Sequence, residues 1–74
     1  MLSQRFQLFV STLAILHLDG HHTVMYVPMG DIVTVTKGPL NGARLVDVNW
    51  NGKTVMMFAS DLRERANQIQ EASN

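Results

Sequence analysis

Arg44-Leu-Val-Asp-Val-Asn-Trp50, Asn51-Gly52 and Lys53-Thr-Val-Met-Met-Phe58 follow one another without a break, and the fold is read from this stretch. Val46, Val48 and Trp50 alternate with Leu45, Asp47 and Asn49, the period of a strand with one face turned to a core. Asn51-Gly52 is the dipeptide that best suits a two-residue hairpin turn, because both central residues of that turn need positive φ. The returning run Thr54-Val-Met-Met-Phe58 is different in kind. Val55 and Met57 face one way and Met56 and Phe58 the other, so both faces are apolar. One pair can fill a core, and the second needs cover from the chain termini, another subunit or a ligand. Leaving Met56 and Phe58 in water forfeits about 1.5–3 kcal/mol each.

Working back from the hairpin, Lys37-Gly-Pro-Leu-Asn-Gly42 is a turn cluster. Residues 32–36 read as a strand with Val33 and Val35 on one face, and Pro28-Met-Gly30-Asp31 interrupts the chain before it. Asp19-Gly20 is a second hairpin signal, between Ile15-Leu-His-Leu18 and Thr23-Val-Met-Tyr-Val27. Short strands separated by turns at this spacing predict a mainly β small barrel of about four or five antiparallel strands, since closing the sheet removes exposed edges. The barrel with its helix is assigned to residues 19–70, residues 1–18 to an apolar N-terminal helix or strand, and residues 71–74 to a frayed polar tail.

The two ends read less sharply. Leu2, Phe6, Phe9, Leu13 and Leu16 have helical spacing, yet Leu8, Val10, Ile15 and Leu18 fill the other face. A spanning helix is rejected, because about 20 apolar residues are needed and Gln7, Ser11, Thr12 and His17 interrupt this run. Arg5 before an apolar stretch leaves export by an N-terminal signal open beside a cytoplasmic location, although His-Leu-Asp-Gly-His-His follows in place of a cleavage site. Near the other end, Asp61 as cap, Glu64 three residues on, the stripe Leu62, Ala66 and Ile69, and an Asp61–Arg65 pair predict a closing helix of about two or three turns.

Composition bounds the chemistry. The chain has 74 residues and no cysteine, so neither disulfides nor thiolate metal sites contribute to a domain of marginal size. Six Lys plus Arg balance six Asp plus Glu, giving a formal net charge of zero, whereas a protein gripping several phosphates needs a positive field. Charged residues make up 16% of the chain and apolar ones 46%. A surface so short of charge, against roughly 25% in ordinary domains, is expected to be covered partly by other copies of itself.

Gly30-Asp-Ile-Val-Thr-Val-Thr-Lys-Gly-Pro-Leu-Asn-Gly42 resembles the signature of KOW and other Src-homology-3-like barrels, in which Gly-Asp opens a strand and a Gly-Pro-hydrophobic turn leaves it. The resemblance covers residues 23–66. Arg44-Leu-Val-Asp-Val48 and Lys53-Thr-Val-Met-Met-Phe58 look similar to small bacterial proteins that bring no known activity. The frame Met29-Gly-Asp-Ile-Val33, Asn41-Gly42, Thr54-Val-Met-Met-Phe58 and Glu64-Arg-Ala-Asn67 also resembles the type B, plasmid-borne dihydrofolate reductases, homotetrameric barrels around a central pore. Their pore strand reads Val-Gln-Ile-Tyr. Here Val55 and the aromatic Phe58 match, Met56 replaces the Gln, the Tyr hydroxyl is missing from Phe58, and the family's lysine falls on Val35 or Thr36. What this resemblance implies is tetramer formation, with binding of folate and NADPH lost along with the amide and hydroxyl.

Other constellations are thin. His17, His21 and His22 gather at the first turn and read as turn histidines facing water, with a metal site as the sharper alternative. Lys37, Arg44 and Lys53, with Tyr26 or Trp50 nearby, would supply the nucleic-acid contact of a KOW-type module. Ser11 and Ser60 lie in no activating motif, and the glycines form no phosphate loop. The expectation is a non-enzymatic, self-associating barrel without metal or cofactor, with Thr54, Val55, Met56 and Phe58 at its interface or pore. The alternatives are a reductase-like tetramer with a degenerate pore site and a nucleic-acid-binding module.

Overall fold

The computed structural model describes residues 4–38 and 44–69. Seven strands and one short helix follow in the order β1 (Gln4–Leu8), β2 (Thr12–Leu18), β3 (His21–Val27), β4 (Ile32–Lys37), β5 (Leu45–Trp50), β6 (Lys53–Phe58), α1 (Ala59–Glu64) and β7 (Ala66–Ile69). All pairings are antiparallel, and the strands lie side by side as β3-β2-β6-β5-β4-β1-β7. The fold is thus mainly β with one helix towards the C-terminal end.

Both hairpin turns form where the sequence places them. Asp19 and Gly20 have φ of 48° and 80°, and Asn51 and Gly52 have 51° and 78°, the positive pair that matches strand twist in a two-residue loop. From the first turn follows the register Leu18–His21, His17–His22, Ile15–Val24 and Leu13–Tyr26. From the second follows Val48–Val55 and Val46–Met57.

Every strand contributes to one core of Phe6, Leu8, Ala14, Val27, Val33, Val46, Val48, Val55, Met57 and Ala66, completed by Ala59 and Leu62 of α1. Val27 of β3 and Ala66 of β7, from the two end strands of the sheet, belong to that one core, as a sheet coiled over itself requires. Laid flat, seven strands would span about 29 Å in a thin layer, whereas the molecule measures 42 × 24 × 24 Å. The pairing of β4 with β5 slips by one residue between Val35 and Lys37. Such a bulge bends and twists a strand, which helps the sheet to coil.

Two expectations change. The sheet has seven strands where four or five were expected, because residues 4–18, read as helix or strand, form two of them, with β1 threaded between β4 and β7. The helix spans only Ala59–Glu64 and starts after Phe58 with no side-chain cap, so Asp61 lies inside it and not ahead of it. Ala66 and Ile69, read as helical stripe positions, belong to β7, where Ala66 pairs with Leu8 and Ile69 with Arg5. The Asp61–Arg65 ion pair does form, at 3.4 Å. The turn at 39–42 and the tail at 71–74 lie outside the described residues.

Candidate functional site

Alternation on β6 separates its two faces: Val55 and Met57 are fully buried, while Met56 and Phe58 are half-buried on the outside. Thr54, on that same outer face, is exposed. Neighbouring strands determine what surrounds them. Met56 stands between Ile15 of β2 and Asp47 of β5, and Ile15 is in turn beside Val24 of β3. Phe58 lies beside Leu45 of β5. Carrying the Ile15–Met56 register two residues along brings Leu13, itself paired with Tyr26, opposite Phe58.

The outer sheet surface therefore carries two apolar rows, Val24–Ile15–Met56 and Tyr26–Leu13–Phe58–Leu45. Val24 and Tyr26 end these rows at 58% and 61% exposure. A third row is polar: His22 pairs with His17, the same register places His17 opposite Thr54, and Thr54 pairs with Asn49. A shallow groove of about 270 Å³ runs where the rows meet, lined by Ile15, His17, Asp47, Thr54, Val55 and Met56.

Over residues 12–15 the distribution on β2 is the reverse of an ordinary half-buried strand, and it turns ordinary at Leu16, which packs on the core. Its inward positions include Thr12 at 1% and Ala14 at 0% exposure, both small, and Thr12 satisfies its hydroxyl by donating to the Val10 carbonyl at 2.9 Å. The bulky Leu13 and Ile15 point outwards and are only half-covered. The sequence singles out Thr54, Val55, Met56 and Phe58; Val55 faces the core, the other three lie on the outer face, and Leu13, Ile15, Val24, Tyr26 and Leu45 of that face were missed. The signal was there: the Asp19-Gly20 turn fixes which residues of the first hairpin share a face.

Of the three cations read as a nucleic-acid contact, Arg44 precedes β5 and Lys53 follows its far end, with Lys37 at the end of β4 opposite Asp47. The length of β5 separates Arg44 from Lys53 by about 20 Å. Trp50 packs against the core and its indole N–H donates to Asp31 Oδ2 at 2.8 Å. Among the described residues no group of three or more His, Asp or Glu side chains could hold a metal ion, and no helix is long and apolar enough to cross a membrane. Comparison with protein-family models, with curated proteins and with solved structures gives no match.

Proposed function

We propose that the chain is a non-enzymatic module of the Src-homology-3-like barrel class that associates with copies of itself through the outer face of β2, β6 and β5. The barrel class is supported by one small antiparallel sheet coiled on a single core, with Gly30-Asp31 immediately before β4 and Gly38 immediately after it, as the resemblance requires. The observation that carries self-association is the apolar double row, in which Leu13, Ile15, Met56 and Phe58 are bulky, outward-facing and half-covered.

A second copy is the occupant that fits best. A formal net charge of zero sets no long-range repulsion between identical chains, and a small domain without disulfides gains proportionately from apolar area buried between copies. Thioether, phenyl and branched aliphatic groups offer close packing and few hydrogen bonds, which suits a greasy partner surface better than a polar small molecule.

The test compares solution mass for the unaltered chain and for the variants Met56→Asp and Phe58→Asp, each on the outer face and away from the core. The unaltered chain is expected at a multiple of 8.3 kDa and both variants at the monomer mass with their far-ultraviolet dichroism intact. An oligomer that survives both substitutions would move the contact elsewhere, for example to the unpaired edge of β3.

A further inference from the structure

We infer that His17 and His22 form a two-donor chelate for a borderline transition-metal cation such as Zn²⁺, at the polar margin of the outer face. The inference stands apart from self-association and rests on the geometry of one cross-strand pair. His17 and His22 are direct partners in the β2–β3 hairpin, so their side chains leave the sheet on the same face. His17 Nδ1 and His22 Nε2 approach to 2.9 Å, with ring centroids 4.4 Å apart and ring planes at 85°.

Two imidazole nitrogens pointed at each other can share one proton or, with that proton gone, one metal ion. Zinc–nitrogen bonds of about 2.05 Å at a tetrahedral angle place the two donors about 3.3 Å apart. Going from the 2.9 Å pair to that bite lengthens the separation by a few tenths of an ångström and turns the rings so that both lone pairs converge on the ion, a χ2 rotation open to these exposed side chains. The paired strands already fix both Cα–Cβ bonds side by side on one face, so chelation loses less backbone freedom than it would on a flexible segment.

Imidazole donors select the class of ion. Zn²⁺, Cu²⁺ and Ni²⁺ bind neutral imidazole well, whereas Mg²⁺ and Ca²⁺ want oxygen. Two protein donors leave the other coordination positions to solvent or to a further donor, so the ion exchanges readily and is not a structural metal. His21 is the internal control. It neighbours His22 on β3 and therefore projects from the opposite face.

The experiment titrates the untagged chain with ZnCl₂, followed by calorimetry and by the histidine ring resonances in NMR. Saturable binding is expected, with the His17 and His22 rings shifting and the His21 ring unmoved. His17→Gln and His22→Gln should each weaken binding by on the order of tenfold or more, and His21→Gln should leave it within about twofold. No saturable binding at millimolar Zn²⁺, or ring shifts centred on His21, would overturn the assignment. The NMR readout uses the unaltered chain and decides the matter even where a variant folds poorly.

Discussion

Trp50 illustrates how a single side chain joins distant parts of this sequence. It ends β5 facing inwards, packs against the core and donates its indole N–H to Asp31 Oδ2 at 2.8 Å, which ties the β5–β6 turn to the loop preceding β4. A hydrogen bond to a charged acceptor contributes about 1.5–3 kcal/mol. Trp50→Phe keeps most of the ring and loses the donor, so it should lower unfolding stability by about that amount in urea, with an unchanged m-value. Asp31→Ala should cost no further stability in the Trp50→Phe background if the two side chains act on each other alone. That bond was not legible in the sequence, because its partners lie 19 residues apart and nothing local pairs them. The division of Thr54-Val-Met-Met-Phe58 into two faces was legible, because strand alternation fixes it without knowledge of any neighbour.

At the scale of elements, the turns carry most of what can be read in advance. Asp19-Gly20 and Asn51-Gly52 each set a register that the hairpins keep, since few dipeptides tolerate two positive φ values in succession. Gly38 has a different role. Its φ is 103°, and a methyl group placed on it would stand 3.1 Å from Val46 Cγ1, whereas at Gly20, with φ 80°, such a group meets nothing within 4 Å. Gly20→Ala should therefore cost about 1–2 kcal/mol of backbone strain, and Gly38→Ala should cost more, read as a larger fall in the urea midpoint. What stayed hidden were β1, which the helical spacing of Leu2, Phe6 and Phe9 left open between helix and strand, the first half of β2, and β7. Over residues 12–15 the inner face of β2 holds small Thr12 and Ala14 beside bulky outward Leu13 and Ile15, so hydropathy there alternates in the wrong sense for that half of the strand to show. In β7, Ala66 and Ile69 follow Leu62 at helical intervals, but the free edge of β1 offers a ladder of backbone hydrogen bonds that the helix could not match.

For the whole molecule, antiparallel order brings the first and last described strands together and leaves β3 as the outermost strand on the other side. The inner faces make one closed core in which Leu8, Val33, Val48, Met57 and Leu62 are each at most 1% exposed. The outer face of β2, β6 and β5 gathers bulky apolar groups that are only half-covered, and its composition follows from the reversed pattern on β2 joined to the double-sided β6; Phe9, Met29 and Ile32 are exposed elsewhere. Fold class and the two central residues of this face could be read from sequence. The face as a whole could not, since it exists only once β2 lies beside β6, a pairing between residues 41 positions apart. The most direct measurement is sedimentation equilibrium of the unaltered chain over a range of concentrations. Association through this face predicts a mass that rises with concentration towards a whole-number multiple of 8.3 kDa; a mass that stays at the single-chain value up to millimolar protein would contradict it.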